Sequence, residues 1–122
     1  MEALTKREEE IMQVFWDINK GFVKDIIAKL PGNPPYNTIS SVVRLLEKKG
    51  YLKYKQYGNT YEYSAKITKK RYRKQIFKSM MSNYFDNSYK KMVSYMVKEN
   101  NLDEKDIEDM MKIIEDNEEK KE

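Results

Sequence analysis

Tyr36-Asn37-Thr38-Ile39-Ser40-Ser41-Val42-Val43-Arg44-Leu45-Leu46-Glu47-Lys48-Lys49, closed by Gly50, is the stretch that decides how the chain is read. As a helix it aligns Ile39, Val42, Val43 and Leu46, the i, i+3, i+4, i+7 spacing of a face packed on a core. Asn37, Thr38, Ser40 and Ser41 fall elsewhere on its first two turns, and Arg44 and Lys48 follow downstream. Small polar side chains at a helix start can approach a base edge, while cations further along hold phosphates. Taken alone, the same helix reads more readily as a surface element whose polar face touches only water. Its neighbours change that balance.

Upstream, Leu4-Thr5-Lys6-Arg7-Glu8 opens a first helix, with Thr5 and Glu8 spaced as a capping box. Ile11, Val14, Phe15 and Ile18 repeat the apolar stripe, and Met12 and Trp16 widen it. Trp16, flanked by such residues, is expected to pack in the core rather than to stack on a base. Asn19-Lys20-Gly21 stops the helix, and Phe22 is read as a very short strand. Val23, Ile26, Ile27 and Leu30 form a third stripe on a short helix, and Pro31-Gly32-Asn33-Pro34-Pro35 breaks the chain. Two short amphipathic helices across a tight break, the second polar at its start, make a helix-turn-helix. Downstream, Tyr51–Tyr57 and Thr60–Ala65 alternate aromatic and polar residues around Gly58-Asn59, which predicts a β-hairpin. A basic hairpin placed directly after a helix-turn-helix is a wing, with Lys53 and Lys55 approaching its tip.

Seven basic residues and no acid lie from Lys66 to Lys78. They form either a solvated face or an added set of phosphate contacts. Thr68 can cap a helix carrying Tyr72, Ile76, Met80 and Tyr84. After Asp86-Asn87-Ser88 a second helix carries Tyr89, Met92, Val93 and Met96. Asn100-Asn101 breaks the chain, and Asp103 and Asp106 open a third helix with Ile107, Met110, Met111 and Ile114. These helices are short and apolar on one side, and six of the eight methionines lie between Met80 and Met111. Flexible thioethers suit an irregular interface. The expectation is that these helices pair with those of a second subunit, against the alternative that they fold back on the winged part.

The chain has 122 residues, 36% of them charged, with mean hydropathy −0.92, which leaves a modest core. It contains neither cysteine nor histidine, which argues against disulfides, zinc and the usual nucleophile–base pairs. With no Gly-rich phosphate loop either, no enzymatic role is expected, and no cofactor. No apolar run is long enough to span a membrane and no signal peptide is read, so a soluble cytoplasmic protein without membrane insertion is expected. Residues 103–122 carry ten acids and four lysines, a net of −6, so that the preceding residues hold +10 of an overall +4. A basic body with an acidic tail suits a polyanionic partner.

The chain resembles the bacterial winged-helix repressors of the penicillinase and methicillin-resistance systems (BlaI/MecI) and their copper-responsive relatives (CopY). Glu10–Trp16 is similar to the family's opening helix. Thr38-Ile39, Arg44-Leu45 and Lys48-Lys49-Gly50-Tyr51-Leu52 resemble its recognition helix and exit. Tyr61-Glu62-Tyr63-Ser64 resembles the return strand of its wing, and Leu102–Glu108 the start of its last helix. The resemblance implies a homodimer that represses transcription by binding an inverted-repeat operator in double-stranded DNA. It also implies a membrane sensor protease as a possible partner. Asn37, Thr38 and Ser40 match positions where family members touch base edges or nearby phosphates. The family often has Lys or Arg where this chain has Asn37 and Ser40, which implies a different operator. The β-lactam-responsive members are cut between Asn and Phe; the positions here are Tyr95 and Met96. The copper-responsive members use cysteine pairs, which this chain lacks.

The expected architecture is mainly α with a small β-hairpin. Residues 1–67 form a winged helix-turn-helix DNA-binding domain, 68–117 a three-helix dimerisation domain, and 118–122 a charged, frayed tail. Asn37, Thr38, Ser40 and Ser41 are the expected base contacts; Tyr36, Arg44, Lys48, Lys53 and Lys55 are the expected phosphate contacts. Ile76, Met80, Tyr84, Tyr89, Met92, Val93, Met96, Ile107, Met110, Met111 and Ile114 are expected at the dimer interface. The rival reading is a winged-helix module that binds another protein without specific DNA binding.

Overall fold

The computed structural model describes residues 3–99 and 102–121, with side chains described as far as residue 116. The expected break at Asn100-Asn101 lies outside the described residues. The chain divides into two compact units, Met1–Ile76 and Phe77–Glu122.

In the first unit, α1 (Lys6–Ile18) is opened by the expected capping box. Thr5 Oγ1 accepts from the Glu8 amide at 3.2 Å, and Glu8 Oε1 accepts from the Thr5 amide at 2.9 Å. Asn19 ends the helix at φ 71°, the left-handed region that asparagine tolerates better than most residues. The short strand expected at Phe22 is instead β1 (Lys20–Gly21). Phe22 caps the following helix, its amide donating to Asp25 Oδ2 at 2.9 Å, which draws it out of the ladder. α2 (Val23–Lys29) and α3 (Tyr36–Lys48) follow, then β2 (Leu52–Tyr57) and β3 (Thr60–Ala65). The sheet is antiparallel in the order β1-β3-β2. Its hairpin turns at Gly58, φ 60°, a conformation a side chain would strain.

The three helical stripes meet as their spacing predicts. Ile11, Met12, Val14 and Phe15 of α1, Val23 and Ile26 of α2, and Ile39, Val43 and Leu46 of α3 are buried together with Tyr51, Leu52, Tyr63 and Ile67. Each such aliphatic side chain contributes roughly 1.5–3 kcal/mol when removed from water. Glu8, only 2% exposed, also accepts from Lys49 Nζ at 2.9 Å and so ties the start of α1 to the end of α3. Burial raises the Glu8 carboxyl pKa, but the bonds from Lys49 and Thr5 outweigh it and hold the carboxyl below its ordinary value. Helices arranged on a small sheet whose β2–β3 hairpin projects as a wing make this a winged helix.

α4 (Lys69–Phe85) starts from a Thr68 cap, with the Arg71 amide donating to Thr68 Oγ1 at 3.1 Å. The unit boundary falls inside this helix, not before it at 67/68. The reason is Tyr72, which is buried in the first unit. Its ring lies 5.4 Å from that of Trp16 and 5.9 Å from that of Tyr51, and its hydroxyl donates to Glu9 Oε2 at 3.2 Å. Burial first, then the Glu9 carboxylate, pushes the Tyr72 phenol up to about 12. Trp16 packs as expected and donates from Nε1 to Ile67 O at 2.9 Å. Ile76 therefore belongs to the winged unit.

The second unit holds the rest of α4, α5 (Tyr89–Glu99) and α6 (Glu104–Lys121). Asp86 and Asn87, both at positive φ, turn the chain between α4 and α5. Phe77 stacks near Tyr89 at 6.2 Å, and Phe85 meets Tyr95 edge-on at 5.6 Å. Asp103 and Asp106 cap α6 reciprocally. The helical backbone of α6 runs on to Lys121; residues 118–121 are Glu and Lys, good helix formers with no breaker among them. Glu122 lies outside the described residues. Among the described residues of this unit only Met81 is buried. Tyr84, Tyr89, Val93, Tyr95, Ile107, Met111 and Ile114 are exposed, and Met80, Met92, Met96 and Met110 are half-buried.

Candidate nucleic-acid interface

The buried stripe of α3 turns its opposite face outward. Tyr36, Asn37, Thr38, Ser41, Arg44 and Lys48 are exposed or half-exposed, and Ser40 is half-buried. Pro35 precedes the helix and supplies no side-chain cap. The first amides of α3 are therefore left for an outside acceptor, beside Asn37 and Thr38. Arg44 donates to Ser40 Oγ at 3.4 Å, a long bond that leaves most of the guanidinium available.

The wing has two unlike faces, because cross-strand partners share a face and neighbours along a strand alternate. Tyr54 pairs with Tyr63 and Gln56 with Tyr61, which puts the three tyrosines on one side. Their rings lie 4.7–6.3 Å apart. Tyr63 is buried and its phenol is pushed up chiefly by that burial, with Arg44 pulling it down and Glu47 of α3 pushing it up. The tyrosine face is thus the one turned to α3. Lys53 and Lys55 alternate to the other side, with Lys20 and Ser64 in register beside Lys53 and Glu62 opposite Lys55.

Between α3 and the tyrosine face runs a half-open groove of about 430 Å³, into which α2 also presents its start. Tyr36, Ser40 and Arg44 line it from α3, Phe22, Val23 and Lys24 from α2 and the residue before it, and Asn59, Thr60, Tyr61 and Tyr63 from the wing. Among the described residues neither Lys24 nor Arg44 pairs with a carboxylate. Two unpaired cations, phenol hydroxyls and small polar groups can hold an anionic backbone against aromatic walls.

Of the residues singled out from the sequence, this groove brings together Tyr36, Ser40 and Arg44. Asn37, Thr38, Ser41 and Lys48 lie on α3 outside it, and Lys53 and Lys55 lie on the far side of the wing. Sequence reasoning misses Lys24, Asn59, Thr60 and Tyr61 as site residues. Lys24 is an isolated cation whose place depends on how α2 meets α3. Asn59 and Thr60, at the tip, carry only the signal of a turn.

A family model described as penicillinase repressor matches residues 4–116. Among solved structures, the chain is similar to the solution structure of the DNA-binding domain of the repressor BlaI. The two are 25% identical with a TM-score of 0.51, and the match covers 59% of this chain and 94% of that one. No curated protein matches the chain.

Proposed function

This chain belongs to the penicillinase repressor family, and we propose that it represses transcription as a homodimer bound to an inverted-repeat operator. Each α3 enters a major groove, at half-sites one helical turn (~34–36 Å) or a multiple of it apart. Asn37, Thr38, Ser40 and Ser41 read base edges; Tyr36, Arg44 and Lys48, joined by Lys24 and Tyr61 across the groove, hold phosphates. The wing carries Lys53 and Lys55 to the backbone beside the half-site. An occupied operator excludes polymerase, which places the action in the cytoplasm. The observation that carries the reading is the groove itself: an exposed polar helix start facing a wing, with two cations and no acid among the described residues that line it. The fold it shares with the DNA-binding domain of BlaI supports it.

The homodimer rests on the second unit, whose helices leave aromatic, Ile and Met side chains in water. A second copy would cover them. Tyr95, exposed, and Met96, half-buried, lie within α5, where a sensor protease would have to reach them.

Footprinting the promoter upstream of the chain's own coding region tests the operator, with a protected inverted repeat as the expected result. A gel shift on random duplex at low and high salt tests the interface. No affinity at low salt would favour the protein-binding module. Within the interface, Asn37→Ala should cost ~1–3 kcal/mol on the operator and little on random duplex. Arg44→Ala should weaken both alike and lower the salt slope by about one. Equal losses for Asn37→Ala on the two duplexes would remove it from base reading.

A further inference from the structure

The outer face of the wing carries lysines that do not line the groove. Lys20 of β1 and Lys53 of β2 flank Ser64 in register, and Lys55 follows two residues on, all three lysines exposed. Where β3 ends, the Lys66 amide continues the ladder to Tyr51 O at 2.8 Å, and α4 begins three residues later with Lys69 and Lys70. The start of α4 is held to the winged unit by Tyr72, so these lysines and the sheet belong to one body. Glu62 lies opposite Lys55 on this face.

The fold itself gives these cations no reason to be there. α1 and α6 place acids in their first turns, as the positive end of a helix dipole favours; α4 places Lys69, Lys70 and Arg71 there instead. Lys91, at the start of α5, is compensated by Asp86 at 2.7 Å. Lys20, Lys66, Lys69 and Lys70 have no carboxylate partner among the described residues. A local rule broken without internal compensation marks a surface used for binding.

We propose that this outer lysine face, from Lys55 and Lys53 through Lys20 to Lys66, Lys69 and Lys70, is a second phosphate-binding surface that holds DNA flanking the half-site without reading its sequence. The inference rests on the DNA-binding reading above. B-DNA's minor groove is about 6 Å wide, with a sugar-phosphate wall on each side. A wing lying edge-on in it presents its tyrosine face to the strand nearer α3. Its lysine face then meets the far strand, and the start of α4 extends that surface outward. Charge complementarity selects the occupant: six lysines stand against Glu62 on the strands and Glu9, which is engaged by the Tyr72 hydroxyl, and duplex DNA offers a regular row of phosphates at lysine reach.

The test uses the full chain and the triple variant Lys20→Gln/Lys66→Gln/Lys69→Gln, none of which lines the groove. Affinity is measured against salt on a random duplex of about 40 base pairs and on one of about one helical turn. The expected result on the long duplex is a salt slope lower by about two to three, at ~0.9 for each phosphate that is no longer neutralised. On the short duplex, which lacks the flanking strand, the two proteins should coincide. The melting temperature should stay level or rise, since cations leave the positive end of α4. An unchanged slope on the long duplex overturns the inference while wild-type binding keeps the DNA reading intact. Equal slope reductions on both duplexes overturn the flanking position of the surface. Loss of affinity only for vesicles containing phosphatidylserine would assign the face to a membrane and overturn it too. A wild-type chain with no affinity for either duplex at low salt sinks the DNA reading and this inference with it.

Discussion

The winged unit turns its apolar stripes inward, whereas the C-terminal unit leaves most of its own in water. Ile11, Phe15, Ile26, Ile39, Val43 and Leu46 are all fully buried, and a partly buried ion pair and a caged tyrosine join α1 to the end of α3 and to α4. In the second unit Tyr84 is 78% exposed and Ile113 61%, and no residue of α5 is buried. The same helical spacing of apolar residues thus has two outcomes. Three helices and a sheet can close around one another. Helices with a single apolar side each, and no sheet to pack on, need another surface to finish the job. The first unit should therefore be stable on its own terms, and the second should depend on protein concentration.

The comparison can be broken most forcefully in the winged core. Leu46→Ala removes a fully buried side chain where α1, α2 and α3 meet, and should cost about 2–5 kcal/mol in urea unfolding. It should leave the oligomeric state of the folded protein unchanged. Ile114→Asp does the opposite. It sets a charge into the surface proposed to pair, and should raise the dimer dissociation constant by roughly 100-fold, about 3 kcal/mol, through an unpaired charge in a dehydrated interface. Sedimentation velocity reads that change, and the winged unit's own unfolding should not move. A mutant that stays dimeric at the wild-type concentration would mean that α6 is covered by something other than a second copy.

Smaller changes sharpen the contrast. Glu8→Gln should cost about 1–3 kcal/mol at neutral pH by weakening a charge-assisted bond to Lys49. Because the Glu8 carboxyl titrates below its ordinary value of 4.5, its contribution is present above that pH and is lost as pH falls through the folded value. The wild-type advantage over the variant should therefore shrink below about pH 4.5 in acid denaturation. Tyr72→Phe should cost about 0.5–1.5 kcal/mol, the worth of one hydrogen bond. The raised phenol stabilises the fold fully below pH 10 and loses that contribution as pH rises toward 12. Alkaline unfolding should come later in the Phe variant relative to its neutral stability.

Much of the fold was legible because its signals are local. The stripes Ile11–Ile18, Val23–Leu30 and Ile39–Leu46 mark three helices by spacing alone, and Gly58-Asn59 between alternating runs marks the hairpin. The polar start of α3 was legible for the same reason: once Ile39 and Val43 are inside, Asn37, Thr38 and Ser41 have to be outside. The groove was legible only in part. Lys24 and Tyr61 are ordinary residues on ordinary elements, and nothing in their neighbours along the chain announces that α2 and β3 bring them to Arg44.

The amino-acid sequence by itself determined which segments become helix and strand, which side of each seeks the core, and the sign of the charge on the basic body. Periodicity, caps and turn residues act within a few positions and can be read in one dimension. Only the tertiary structure decided where the first unit ends, because that depends on Tyr72 reaching Glu9, 63 residues away, and the rings of Trp16 and Tyr51. It also decided which face of the wing turns to α3: that of Tyr54, Tyr61 and Tyr63, and not that of Lys53, Lys55 and Tyr57. Strand alternation separates the two sets, but the packing of Tyr63 beside Arg44 chooses which one faces the groove.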